Sequence, residues 1–581
     1  MTHKFLFILA ALALFAGCSR EPAPSDAEIV TAVANEFVDG YYAQFPEEVY
    51  EVGYPDAPLD RFGDHSQEAL SAWDAKVDSW LGALNAVDAS KLEAMPEAIA
   101  FIFTRERLQS IVDRRVCRMD LWNVSPTWTG WQYSVISTLA VQPVATVEER
   151  SAALARAADI ERLIDTEIAN LRLGLDEGYA APVNNVTAVI EQMSTLIETP
   201  IDDSPFFSPA TRSDAETFKR DYRGVIESSV VPALIAYRDF LSEGYRGRDA
   251  IGVKANPNGD NCYAASVRYW SSLPMEPMAI HRAGLSEMSR IQTEMLAIAK
   301  THFGTDDLKA LFEELRTKPE YTFASEQQML DYVQAAVDRG REAMPDLFGN
   351  VPAAELVVIP SPAYEKDSGG GFYSAGSVDG SRPGTYQVGT HNPTGISRAG
   401  QESTAFHESW PGHHLQISIA LLNDSLHPVQ RYMHISGSVE GWALYSERLA
   451  DEVSLYSSEL SRLGMLSNEA YRAARLVVDP GLHVLGWTRQ QAIDYMLENT
   501  AEGYDSIAGE VDRYAAVPGQ ATSYLVGSLE IQRLRRHAEA LLGERFDIRE
   551  FHDRILADGG VTLPMLGASI DAWIEQKLAA D

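Results

Sequence analysis

The chain has 581 residues, 45 % hydrophobic and 23 % charged, a composition ordinary for globular proteins and a length sufficient for a very large core. Forty-eight basic against 83 acidic residues leave a net charge of −35. That balance argues against nucleic acid as a partner, which requires a basic face, and favours solubility.

In chain order, residues 1–17 read as a signal peptide. Lys4 is the charged start, Phe5 to Phe15 the apolar run, and Ala16-Gly17 the small pair before Cys18. The run is too short to span a membrane. A small pair before Cys18 resembles a bacterial lipobox, with Phe15 where Leu is usual; the alternative is a plain secretory signal. The resemblance implies a lipidated Cys18, a tether over 18–26, and a protein anchored on the periplasmic side of the envelope. Ser19 after the cysteine resembles the sorting pattern for the outer membrane. The two other cysteines, Cys117 and Cys262, can form a disulfide in an oxidising compartment or remain buried thiols.

Residues 27–349 form the predicted helical domain. Thr146-Val147-Glu148-Glu149 spells a capping box. Leu154, Ile160, Ile164, Ile168 and Leu171 follow at helical spacing, and Gly178 ends the run. Further periodic runs cover 69–86, 94–118, 214–243, 276–302 and 325–343. Trp122, Trp128 and Trp131 flank Pro126 in a loop, as a packed corner or a substrate platform. Residues 350–581 form the predicted catalytic domain. Three strands are expected at 355–361, 372–378 and 385–390, separated by glycine-rich loops.

The chemistry is concentrated in Thr404 to Gln416, TAFHESWPGHHLQ. Zinc peptidases commonly write H-E-x-x-H on one helix: two imidazoles one turn apart bind the metal and the Glu acts as general base. Here His413 follows His407 by six residues, the opposite face of a straight helix at roughly 100° per residue. His414 returns to the face, but about 10.5 Å along the axis. Pro411 breaks the backbone ladder. Ser409-Trp410-Pro411 is therefore expected to be a bulged turn restoring the relation between His407 and His413, with Glu408 as the base. Glu440, 33 residues after His407 in EGWALYSE, completes a three-ligand zinc site with an open position. The spelling resembles E-G-F-A-x-Y-x-E of zinc aminopeptidases. Glu447, two turns on, is expected to orient a ligand imidazole. Arg475, Asp479 and His483 fall at i, i+4, i+8 on one face unless Pro480-Gly481 breaks it. Asp479 and Arg475 are expected to support the ligands, or to be an ordinary helix ion pair. Tyr524 and His483 are candidate donors to the oxyanion of amide hydrolysis. Arg382, Tyr386 and Arg513 are candidate substrate-binding residues.

Five pieces carry a family resemblance: GSRPGTY (380–386), HESWPGHHLQ (407–416), EGWALYSERLADE (440–452), RAARLVVDPGLH (472–483) and RYAAVPGQATSY (513–524). Together they resemble the bacterial domain of unknown function 885 family, placed in the zincin peptidase clan. The resemblance implies a mainly α, multi-helical zincin-like fold with a small β-sheet before the active-site helix. It implies one zinc ion and an edge strand that pairs with extended peptide. Analogy with helical oligopeptidases adds a deep cleft suited to short peptides. The expected function is a zinc-dependent peptidase. The alternatives are a zinc hydrolase of another amide, such as cell-wall peptide, or a binding lipoprotein without catalysis.

Overall fold

The computed structural model describes residues 24–579 except 50–53, 55–57, 93–94, 362–370, 379 and 381. The signal segment and Cys18 lie outside the described residues. No helix among them is long and apolar enough to cross a membrane.

The fold is mainly helical. Helix α1, Asp26–Gln44, starts at a capping box on Ser25, and α2, Val147–Glu177, starts at the predicted one on Thr146. Gly178, at φ 86°, ends α2 in the left-handed conformation that glycine adopts at no steric cost. Helix α3 spans Gly259–Ser271, α4 Pro277–Ile298 and α5 Glu326–Leu347. Cys262 on α3 is bonded to Cys117. Trp122 is fully buried, its indole donating to the Cys117 carbonyl, and Trp131 is buried while Trp128 is exposed. The three tryptophans are thus largely a packed corner.

A three-stranded sheet follows, in the order β1-β3-β2. Strand β1, Leu356–Pro360, pairs in parallel with β3, Gly384–Val388, and β2, Gly371–Ser374, pairs antiparallel to it. Strand β2 is shorter than its pattern predicts. Beyond it the Ser377 N–H donates to the Arg382 carbonyl, turning the chain back toward β3.

The remaining helices are α6, Gln401–Glu408; α7, His413–Leu421; α8, Ser436–Glu452; α9, Glu459–His483; α10, Tyr504–Ala516; and α11, Ser523–Leu542. Helix α9 continues through Pro480, keeping Asp479 and His483 on one face. One core cluster runs from Val30 to Ile574, so both halves of the chain share it, and a second is built from residues 62–245. Helix α4 lies along α9, where a Cβ on Gly284 would stand 2.7 Å from that of Leu476.

Helices α8 and α11 cross at glycines. A Cβ on Gly527 would stand 1.8 Å from the Gly437 carbonyl oxygen and 2.8 Å from the Gly441 Cα. Neither atom can yield without parting the helices. Gly527→Ala is expected to destabilise the protein by about 1–3 kcal/mol through overpacking. Gly509, exposed on α10, is the control: a Cβ there would meet nothing within 4 Å. Gly509→Ala is expected to be neutral or to stabilise by up to about 1 kcal/mol. Urea denaturation of both variants measures the contrast.

Candidate functional site

Helix α6 ends at Glu408 because Ser409 leaves helical geometry, at φ −114° and ψ −112°. Residues 409–412 reverse the chain, and α7 begins at His413. The Gly412 N–H donates to the Phe406 carbonyl at 3.1 Å. A Cβ at Gly412 would stand 1.9 Å from the His407 carbonyl oxygen, so only glycine fits. The turn is clamped from outside by the Trp442 indole, which donates to the Pro411 carbonyl at 2.9 Å. Its product is a pair of imidazoles, His407 and His413, with ring centroids 4.8 Å apart.

Glu440 on α8 meets them. Its Oε2 lies 3.3 Å from His407 Nε2 and 3.5 Å from His413 Nε2. The three donor atoms all lie within 4.8 Å of one another. Metal–ligand bonds of about 2.0–2.1 Å in a tetrahedral site put neighbouring ligands roughly 3.3–3.4 Å apart, which the two Glu440–imidazole separations match. Glu440 Oε2 is buried without a hydrogen-bond partner, which also fits a group that an ion would satisfy. His407 Nδ1 lies 2.8 Å from Glu447 Oε1, and Ser403 donates to the other Glu447 oxygen. Glu447 thus orients His407 with Nε2 toward the cluster, the arrangement that metal-binding histidines use. Burial opposes a charge on His407, but the nearby Glu440 and Glu447 carboxylates prevail and raise its pKa to about 9. Burial raises the Glu408 carboxyl above its ordinary range, against the pull of His407 and His413.

His414 turns away from the cluster. Its Nδ1 lies 3.1 Å from the Tyr373 hydroxyl and its Nε2 3.4 Å from the Ala354 carbonyl. Tyr524, partly exposed at the start of α11, is bracketed at the level of Glu440. On one side the Ser436 and Ser523 hydroxyls meet at 2.7 Å; on the other Gly441 abuts Gly527. Burial and the Glu440 charge both raise its phenol pKa.

Several assignments are corrected by the structure. His483 does not face a substrate. It is fully buried, accepts the Val253 N–H at Nδ1 (2.9 Å) and donates from Nε2 to the Tyr514 carbonyl (3.0 Å). Asp479 holds no ligand imidazole; it accepts from the Tyr263 hydroxyl at 2.7 Å and from the Gly519 N–H at 3.1 Å. Arg475 is not paired with Asp479 but with Glu510, at 3.0 Å. Arg513 is buried, donating to Glu510 and Gln520, and has no access to a substrate. Tyr386 is likewise buried, pressed on Gly371 and within electrostatic reach of Glu408. Arg382 is exposed before β3.

Two neighbours were not foreseen. Ser403 carries no signal in sequence beyond sitting one turn before His407. His434, partly exposed just before α8, lies close enough to His413 for their charges to interact. A lone histidine outside a motif gives no warning of that.

The site and fold define a class: a mainly helical protein presenting a His-His-Glu donor set with the buried carboxylate of Glu408 next to His407 in the chain. Over residues 46–570 the chain matches the family described as "Bacterial protein of unknown function (DUF885)", and it belongs to that family. It is similar in structure to the crystal structure of "the putative lipoprotein from Colwellia psychrerythraea", with a TM-score of 0.88 and 24 % identity over 95 % of this chain and 100 % of that one. A "putative lipoprotein of unknown function from Shewanella oneidensis" shares the fold with a TM-score of 0.68 and 19 % identity, over 94 % of this chain and 99 % of that one. No curated protein matches the chain.

The correction to His483 has a spectroscopic test. Burial lowers its pKa from 6.5 to about 3. It is expected to stay neutral, protonated on Nε2 only, from pH 8 down to about pH 4 in long-range ¹H–¹⁵N spectra. The unfolded chain takes up this proton below about pH 6.5, so His483 contributes a loss of stability as pH falls from there towards 3.

Proposed function

We propose that this chain is a zinc-dependent peptidase of zincin-like fold that hydrolyses short peptides. It would work on the periplasmic side of the bacterial envelope, tethered by lipid on Cys18 at the outer membrane. The observation that carries the reading is the convergence of His407, His413 and Glu440 on one point, with Glu408 following a ligand histidine directly. The Cys117–Cys262 disulfide supports an oxidising compartment.

His407, His413 and Glu440 would hold the ion, and Glu447 and Ser403 would keep His407 turned toward it. When bound, zinc supplies a Lewis acid and lowers the pKa of water towards about 7. Glu408 does the proton work. Its carboxylate accepts the proton of the attacking water and passes it to the leaving amine. Burial, by raising its pKa, makes that carboxylate a stronger base than an exposed one. Tyr524, within electrostatic reach of Glu440, would donate its phenol to the oxyanion. The outer strands of the sheet, β1 and β2, offer backbone to an extended peptide, as in strand addition.

Zinc content and peptide cleavage test the two halves of the reading. Protein purified without chelator is expected to hold about one zinc per chain. His413→Ala and Glu440→Ala should lose it, whereas His414→Ala should retain most of it. Retention by His413→Ala with loss in His414→Ala would overturn the ligand set.

Glu408→Gln should keep the metal and the melting temperature. Its cleavage of a mixed peptide library, read by mass spectrometry, should fall about 10²–10⁴-fold. Equal cleavage by Glu408→Gln would remove Glu408 as the base. A zinc-loaded wild type that cleaves no peptide would leave another amide hydrolase or a binding lipoprotein.

A further inference from the structure

Helix α9 brings uncompensated positive charge to the site of a strongly acidic protein. Arg475 is buried, with its guanidinium carbon 4.5 Å from the ring centroid of Tyr471 and 4.6 Å from that of Tyr524. Its Nε donates to the Tyr514 hydroxyl and its Nη2 to Glu510, at 3.0 Å each; Nη1 is buried without a partner. Arg513 donates to the same carboxylate, at 3.0 and 2.8 Å. Two guanidinium groups therefore share the single charge of Glu510. Arg472 lies one turn before Arg475 and is partly exposed. Its Nη1 donates to the Asn468 carbonyl at 3.3 Å, its Nε is buried without a partner, and no carboxylate pairs with it among the described residues.

The position of this charge is set by packing. Tyr524, under Arg475, is held at the level of Glu440 by the Ser436–Ser523 contact and the Gly441–Gly527 crossing. Asn468, one turn before Arg472, donates to the Gly400 carbonyl at the start of α6, the helix that carries His407 and Glu408. Helix α9 also meets the segment before α6 backbone to backbone: a Cβ on Gly464 would stand 1.9 Å from the Ala399 carbonyl oxygen. Desolvated guanidinium without counter-charge is costly unless paired. A planar fork of N–H donors matches a carboxylate in both charge and shape.

We propose that Arg472, with Arg475 behind it, binds a carboxylate of the substrate beside the scissile amide, so that preferred substrates are peptides with a free carboxylate close to the cleaved bond. The inference rests on the peptidase reading for its substrate, and its test is made by binding so that the two can fail separately. The carboxylate is a C-terminal α-carboxylate or an acidic side chain.

The experiment uses zinc-treated Glu408→Gln protein, which leaves peptides intact, and three fluorescein-labelled hexapeptides. The first has neutral side chains and a free C-terminus, the second is its C-terminal amide, and the third is the amide with Asp next to the end. Anisotropy is expected to show at least about tenfold tighter binding of a carboxylate peptide than of the neutral amide, the scale of a charge-assisted pair. Preference for the first peptide assigns the α-carboxylate, and preference for the third the side chain. Adding Arg472→Ala should shrink the discrimination below about twofold, with zinc content and thermal melt unchanged. Arg475→Lys, which keeps the charge opposite Glu510 but loses the fork, should reduce it in part. Equal binding of all three peptides, no saturable binding at millimolar concentration, or full discrimination in the Arg472→Ala protein would each overturn the proposal. Absence of cleavage by the wild type would count against the peptidase reading alone.

Discussion

The site depends on the absence of one carbon atom. A side chain at Gly412 would sit 1.9 Å from the His407 carbonyl oxygen, so no other residue lets the chain fold back tightly enough to set His413 beside His407. The four residues from Ser409 to Gly412 do what a single helical turn does in the shorter H-E-x-x-H spelling. They cost a helix interruption, and the structure offsets it with two bonds, one from outside, the Trp442 indole to the Pro411 carbonyl, and one within the segment, the Gly412 N–H to the Phe406 carbonyl. Trp442 lies two residues beyond Glu440 on the same helix. The element that braces the turn therefore also delivers the third donor.

That delivery rests on a second close approach of the same kind. Helices α8 and α11 touch backbone to backbone at Gly441 and Gly527. The crossing positions Glu440 from one helix and Tyr524 from the other at one level. Carboxylates at 440 and 447 then act on opposite nitrogens of His407, with Oε2 of Glu440 3.3 Å from Nε2 and Oε1 of Glu447 2.8 Å from Nδ1. The Glu447 carboxylate at Nδ1 holds the ring in one orientation.

Around this acidic centre the chain uses its basic residues sparingly and locally. The overall charge of −35 describes the molecule as a whole, whereas α9 gathers Arg472 and Arg475 next to Arg513, and among the described residues Arg475 and Arg513 share Glu510 as their ion-pair partner. These side chains carry charge opposite in sign to that of the molecule as a whole. This is the reason an acidic composition can argue against a broad anionic partner such as nucleic acid without arguing against a single carboxylate.

The long helical periods were legible because each carries its own boundary chemistry. Thr146 and Glu149 close a capping box on α2, and Gly178 ends it, as the spacing predicts. The pairing of His407 with His413 through a bulge, and of Glu447 with His407, was also legible, since Pro411 and Gly412 are local backbone constraints and helix spacing sets which face Glu447 occupies. Residues 472–524 were not. The i, i+4 relation of Arg475 to Asp479 suggested a pair, yet Arg475 reaches Glu510 and Asp479 reaches Tyr263. His483 looked poised for chemistry, and both of its nitrogens are taken by backbone groups of residues 253 and 514. Spacing along one helix states which side chains share a face. What that face meets is decided by packing against segments far away in sequence, and only the tertiary structure contains it.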